Sequence, residues 1–279
     1  MGEPMAARLR DGEHELVVWN RTPERAEALA ERGARQAGSP AEAAASADVV
    51  VTMLSTAEAL EEVAFAGDGL VEGTGDGTTL VEMSTVGPAT VRRLYERLPS
   101  GVDMLDAPVL GSVKAATEGS LMLFVGGSQP ALERCRPVLE RFGTVHHLGP
   151  LGAGAAMKLV TNSTLGTLMA GLGEALALAD ALGLDGSQVL ELLAESPIGA
   201  TAKSKAENIE TQTYSPNFKL ALAVKDLRLV TDAAQEAGVD LRLAAAARSW
   251  LEAADEAGLG ALDYSAVVAH IRGGEANPG

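Results

Sequence analysis

Cysteine is all but missing. Cys135 is the only one among 279 residues, which excludes an internal disulfide and fits a reducing compartment. It aligns with Leu132 and Val138 at helical spacing, so core packing is expected of it rather than nucleophilic chemistry. Aromatic residues are scarce, 3% against 47% hydrophobic, so the cores must be built from Ala, Leu and Val. Basic residues are outnumbered 22 to 38, a net charge of −16. That balance argues against nucleic acid or an anionic membrane as partner. An anionic substrate would then need local positive charge, which singles out any Lys or Arg in a cleft. Uninterrupted apolar runs of membrane length are lacking too. The most apolar long segment, Leu159–Leu184, contains Glu174 and Asp180 and reads as a buried helix. No charged head followed by an apolar run opens the chain, and Ala6 stands where a myristoylation motif wants Ser or Thr. A cytoplasmic location is expected.

What is present has the length for two domains. Asp11-Gly12 should turn the chain into a short buried strand within Glu15–Trp19. Thr22-Pro23-Glu24 then starts a helix, with Thr22 as N-cap and Pro23 in the first helical position. Asp48–Leu54 is a continuous apolar run typical of a parallel strand covered on both faces. Further strands are expected at Thr79–Met83, Val102–Leu105, Leu121–Val125 and Val145–Leu148, with helices at Ala57–Phe65, Pro88–Arg97 and Pro130–Phe142 between them. This alternation implies α/β architecture, a doubly wound parallel sheet over residues 1–153. After Gly154 the strand patterns stop. Ala155–Leu184 reads as one long helix, and Asp185 caps another running through Glu195. Phe218–Ala237, Leu241–Ala257 and Tyr264–Ile271 complete an all-helical domain over 154–279.

Five stretches carry chemistry, each with a plainer reading beside it. After the first strand, where an NAD enzyme places an acid for the ribose hydroxyl, stand Asn20-Arg21-Thr22. Arg21 can fork onto a 2′-phosphate with Asn20 and Thr22 adding hydrogen bonds; the plain reading is a helix cap with a surface Arg. Leu54 and Ser84-Thr85 lie at carboxyl ends of strands, where open α/β sheets bind ligands, or are ordinary strand ends. Asp106–Leu121 contains a Pro-stiffened turn in which Gly111 and Ser112 can offer N–H groups and a hydroxyl to a carboxylate, or is any strand-to-loop transition. Lys114 could partner an anion or be solvated. In Gly149–Asn162, Gly152 and Gly154 precede a helix on which Lys158 and Asn162 share one face, a turn apart. That pair is either a tunable acid beside an orienting amide or a Lys snorkelling from a buried helix. Lys225-Asp226, in Phe218–Leu229, is otherwise a surface pair.

Together these stretches resemble the β-hydroxyacid dehydrogenases, the 3-hydroxyisobutyrate dehydrogenase-like family. Met1-Gly2-Glu3-Pro4-Met5-Ala6 is similar to the tail of that family's G-x-G-x-M-G-x-P-M-A turn. Gly2 matches its last glycine; the first two glycines and the strand before them would precede residue 1. The expectation is therefore a start misplaced at an internal methionine of a longer reading frame, and an in-frame stop codon immediately upstream would sink it. Asp106–Leu121 resembles the family's D-A-P-V-S-G-G-x-x-G-A substrate loop, with Leu110 in place of Ser and Ser112 in place of Gly. Those departures suggest a bulkier or more apolar substrate. Leu54-Ser55 replaces the family's Leu-Pro, Thr85 matches a cofactor-contacting position, and Lys225 matches a Lys that reaches the cofactor.

The resemblance implies hydride transfer between a nicotinamide cofactor and a small hydroxyacid or its aldehyde or keto form. Lys158 would be general acid or base, provided that burial lowers its pKa toward neutrality, and Asn162 would position the carbonyl oxygen or the Lys. Asn20–Thr22 favour NADP (NADPH) over NAD and hint at the branch with the glyoxylate and succinic semialdehyde reductases. A homodimer or higher homo-oligomer is implied; a metal is not. The alternatives are an imine reductase, against which Lys158 counts, and a truncated, non-catalytic relative.

Overall fold

The computed structural model describes residues 1–11, 14–45 and 47–279, and the chain divides into two compact units, Met1–Lys158 and Leu159–Gly279. Gly12, and so the turn expected at Asp11-Gly12, lies outside the described residues.

In the first unit, helices α1 (Gly2–Arg10) and α2 (Glu24–Ala30) flank β1 (Val17–Val18), which pairs in parallel with β2 (Arg35–Gln36) as a separate two-stranded sheet. Only two residues of the expected first strand are in β form. The main sheet begins after α3 (Pro40–Ala44) with β3 (Val49–Thr52). Past α4 (Ala57–Phe65) and α5 (Leu70–Gly73) comes β4 (Thr79–Glu82), and α6 (Pro88–Glu96) leads to β5 (Asp103–Asp106). These three strands are parallel and in step, Thr52 opposite Glu82 and Glu82 opposite Asp106.

Beyond β5 the sheet is mixed rather than wholly parallel. Strand β6 (Val109–Leu110), α7 (Val113–Glu118), β7 (Leu121–Gly126), α8 (Gln129–Leu139) and β8 (Gly143–Gly149) follow. Strand β7 runs antiparallel to β5 and β6 and parallel to β8, and the order is β3-β4-β5-β7-β6 with β8 on β7. The direction reverses because β5 is followed by a short β6–α7 link instead of a full helical crossover, which a parallel return needs. Successive residues face opposite sides of the sheet. Val81 and Leu105 join Leu123, Leu132, Cys135 and Phe142 in one core, whereas Leu80 and Met104 join Leu60, Val91 and Leu94 in another. Cys135 is wholly buried, a packing residue as its spacing implied.

Helix α9 (Ala153–Ala181) starts in the first unit. The second unit adds α10 (Gly186–Leu193), α11 (Gly199–Thr211), α12 (Leu220–Glu236), α13 (Arg242–Ala254) and α14 (Ala266–Arg272). Asp185 caps α10 as its position implied, Oδ1 accepting from the Gln188 N–H at 2.9 Å. Helix α11 carries no apolar periodicity in the sequence because its buried stripe includes small and charged residues, Ala202 and Lys205 among them. Helix α13 gives way before Ala257 to a wide turn, Asp255–Leu259, in which Gly258 takes a φ of 90°. The core buries Met169, Leu172, Leu176, Leu220, Leu227 and Leu251 together with Tyr214 and Tyr264. Trp250 donates its indole N–H to Glu174 at 2.8 Å and stands edge-on to His270. Val160, Leu168 and Leu178 stay exposed along α9, and Leu182 just beyond its end. Among the described residues no helix is long and apolar enough to cross a membrane.

Candidate active site

The carboxyl edge of the main sheet is polar although the strands leading to it are apolar. Glu82, 1% exposed, ends β4. Its carboxyl accepts a short hydrogen bond from the Thr52 hydroxyl and another from the Ser84 N–H at 2.6 Å. The Ser84 hydroxyl in turn accepts from the Leu54 N–H at 2.8 Å. Leu54 and the Ser84-Thr85 turn are thus stitched together, two sequence-predicted positions brought to one place. The Glu82 carboxyl is pushed up to about 7, burial outweighing the opposing bonds from Ser84 and Thr52, with a smaller upward push from the nearby Asp106 charge.

Asp106, wholly buried at the end of β5, is the neighbouring acid. Oδ1 accepts from the Gly152 N–H at 2.7 Å and Oδ2 from the Ala155 N–H at 2.6 Å. Burial raises its pKa above the usual carboxylate range, while the N–H groups of Ala155 and Gly152 act the other way. Neither Glu82 nor Asp106 was singled out from sequence as a site residue. The available signal was an acid ending each of two strand patterns, T-L-V-E and D-M-L-D.

At the nucleotide end, Gly2 opens α1, where free N–H groups suit a phosphate. A Cβ there would lie 3.8 Å from the Met53 Cβ, an ordinary contact, so packing does not demand glycine. Past β1, the Thr22 N–H bonds the Asn20 side chain at 2.9 Å in an exposed turn. Thr22 does not cap α2 with its hydroxyl as expected: the cap is Pro23, and Thr22 supplies its carbonyl to the Arg25 N–H. The Arg21 guanidinium is exposed and only loosely paired, 3.7 Å from Glu62. Such a surface pair is weak, so Arg21 can turn to an anion. Parallel strand ends and an open helix N-terminus fit a nicotinamide dinucleotide.

The expected substrate loop is more ordered than a turn. Leu110 belongs to β6, paired with Met122, and Ser112 caps α7 by accepting from the Ala115 N–H at 3.4 Å. The Ser112 hydroxyl is therefore partly engaged within the chain. Gly111 has a φ of 145°, and a Cβ on it would sit 2.6 Å from a Leu121 methyl, so this position demands glycine. Lys114 is a solvated residue of α7, 82% exposed and 3.9 Å from Glu118.

On α9, Lys158 is half-buried rather than buried, and Asn162 is fully buried. Within the second unit the Asn162 amide donates to Asp226 Oδ2 at 2.7 Å, and Lys225 Nζ lies 2.9 Å from Asp226 Oδ1. Asn162, Lys225 and Asp226 therefore form one cluster, with one Asn162 N–H fixed on the carboxylate. Among the described residues no group of three or more His, Cys, Asp or Glu could hold a metal ion.

Two family models cover the chain. Residues 1–150 match the NAD binding domain of 6-phosphogluconate dehydrogenase, and residues 152–271 match the NAD-binding domain of NADP-dependent 3-hydroxyisobutyrate dehydrogenase. The chain is 35% identical over 285 residues to the 3-hydroxyisobutyrate dehydrogenase of Pseudomonas aeruginosa, covering 98% of this chain and 96% of that one. It is 34% identical over 275 residues to the chloroplastic glyoxylate/succinic semialdehyde reductase 2 of Arabidopsis thaliana, 98% of this chain and 77% of the relative. Among solved structures, the 3-hydroxyisobutyrate dehydrogenase of Mycobacterium tuberculosis superposes with a TM-score of 0.85 at 32% identity, covering 98% and 96% of the two chains. An imine reductase of Streptomyces aurantiacus is more distant, with a TM-score of 0.62 at 26% identity and 97% and 95% covered. The chain belongs to the β-hydroxyacid dehydrogenase family, NAD(P)-dependent oxidoreductases similar to 3-hydroxyisobutyrate dehydrogenase.

Proposed function

We propose that the protein transfers a hydride between NADP(H) and a small hydroxyacid or its aldehyde or keto form, with Lys158 as proton donor in reduction and acceptor in oxidation. The observation that carries this reading is the placement of Lys158 on the helix whose first turn is bonded to Asp106, at the ligand-binding edge of the sheet. The dihydronicotinamide, when bound, supplies the hydride. Lys158 Nζ delivers the proton to the oxygen that becomes the hydroxyl, and Asn162, one turn on, orients that oxygen or the amine. Residues 1–153 hold the dinucleotide, with Gly2, Leu54 and Thr85 along it and Asn20, Arg21 and Thr22 at the 2′-phosphate. Residues 154–279 add Lys225 for the cofactor. The N–H groups around Gly111 and Ser112 take the substrate carboxylate.

NADP is preferred over NAD because the β1 end offers Arg21 and no carboxylate at Asn20–Thr22. A homodimer is proposed from the exposed stripe Val160, Leu168, Leu178 and Leu182, an apolar surface that a second copy would cover. The single buried thiol suits a reducing cytoplasm.

The test is oxidation of NADPH beside NADH by the purified protein over small aldehyde acids, keto acids and cyclic imines. It is run on the 279-residue chain and on any longer product of the same reading frame. Turnover of aldehyde or keto acids with NADPH is expected. Lys158→Ala should lower turnover about 10²–10⁴-fold while NADPH still binds; near-normal turnover refutes the assignment. Absence of NADPH binding by every form would favour a non-catalytic relative.

A further inference from the structure

We infer that Asp106 is a positioning residue for Lys158, a buried carboxylate at the end of β5 that fixes the first turn of α9 and through it the direction in which the lysine is presented. The inference rests on the reading of Lys158 as the proton-transferring group.

A buried carboxylate is expensive unless its lone pairs are met by donors. Both oxygens of Asp106 are met by main-chain N–H groups at one helix start, those of Gly152 and Ala155. These are N–H groups that a helix leaves without internal partners, and their dipoles favour a negative charge. Two glycines let the surfaces meet. A Cβ on Gly154 would collide with the Phe124 carbonyl oxygen, and one on Gly126 would collide with the Asp106 carboxylate itself. A third, Gly152, turns into the helix at a φ of 93°. The start of α9 is thereby held against β5 and β7 at points less than one helical turn apart.

Lys158 follows Ala155 by three residues, so the two share a face on adjacent turns. Tilting the bonded turn would carry the amine with it. For an acid that must reach one oxygen of a bound substrate, a displacement of about 1 Å is worth roughly 10²-fold in rate. Packing alone would be served by an apolar residue at position 106. A carboxylate with both oxygens on the helix start fixes its direction as well.

The test is a double-mutant cycle read by single-turnover NADPH oxidation, joining Asp106→Asn with Lys158→Ala. Asn keeps the shape and one acceptor but turns its NH2 toward a second N–H donor. Folding is checked by circular dichroism, and Asp106→Ser, which also keeps one acceptor, takes its place should Asn not fold. Asp106→Asn should lower the hydride-transfer rate roughly 10²-fold, leave the Kd for NADPH unchanged, and add nothing to the loss already caused by Lys158→Ala. Equal losses in both backgrounds, or a wild-type rate, would overturn the proposal, since a purely structural role does not depend on Lys158.

Amide hydrogen exchange gives a readout free of activity. Gly152 and Ala155 should exchange faster in Asp106→Asn while Val81 and Leu105 do not change; unaltered exchange at both amides would overturn the proposal. Lys158→Ala alone separates the two ideas. Normal turnover in that variant removes the catalytic reading and the positioning role with it, whereas a large loss with additive effects removes only the positioning role.

Discussion

The two units bury acids in opposite ways. In the first, Glu82 and Asp106 sit at strand ends and take their hydrogen bonds from hydroxyls and main-chain N–H groups. Burial dominates, and both stand above the usual carboxylate range. In the second, Asp263 is equally inaccessible but bonds Lys205 Nζ at 2.8 Å, the Ser265 hydroxyl at 2.6 Å and the N–H groups of Asn217 and Phe218. Burial alone would raise it too, yet the bonds from Lys205 and Ser265 and the Lys205 charge bring it below its ordinary value. A cation in the cluster separates the two outcomes. Without one, burial leaves the acid raised, Glu82 to about 7. With one, it is locked as an ion, which suits a structural tie between α11 and the segment before α14.

The largest effect should come from breaking the tie. Lys205→Met leaves Asp263 buried without a counter-charge and should lower unfolding free energy by about 3–5 kcal/mol in urea denaturation. A loss below about 1 kcal/mol would make the pair no stronger than a surface one and erase the contrast. The sign with pH is also set. Asp263 is depressed, so its contribution is present above the unfolded value near 3.8 and is lost as pH falls through the folded one.

Glu82 runs the other way. Its folded value, about 7, exceeds the unfolded 4.5. Its contribution is full below 4.5 and is lost as pH rises through 7, roughly 3 kcal/mol at most. Denaturation curves from pH 4 to 8 should show that decline in the wild type and a flatter profile in Glu82→Gln. Identical slopes would deny the raised value. The smallest effect is a control outside both clusters: Asp185→Ala removes the α10 cap and should cost about 1 kcal/mol, independent of pH above 5.

The architecture was legible because long apolar runs and caps are local signals. V-V-V-T and T-L-V-E are strands where they read as strands, and α4 spans the expected Ala57–Phe65. What escaped depends on tertiary partners. Strand β6 has two residues and exists only through β7, the reversal of β7 has no periodicity to announce it, and α11 hides its buried face behind Ala202 and Lys205. The site was read in the same uneven way. Asn20–Thr22, Gly111, Lys158 and Asn162 stood out through residue type and spacing. Glu82 and Asp106 did not, because their importance lies in burial and in donors that come from distant parts of the chain, Thr52 for one and Gly152 for the other. Helix α7, which Ser112 caps, is too short to see in sequence.

Scarcity of aromatics has an optical consequence. The chain holds two tryptophans, and they fall one to each unit. Trp19 closes the stretch that leads into Asn20–Thr22, and Trp250 is held by Glu174 beside the His270 ring. Replacing either by Phe leaves a single emitter assigned to a single unit. Trp250 alone would follow unfolding of the helical unit. Trp19 alone would test the proposed arrival of a dinucleotide at Asn20–Thr22, so that cofactor binding and helical stability could be watched in one cuvette without a label.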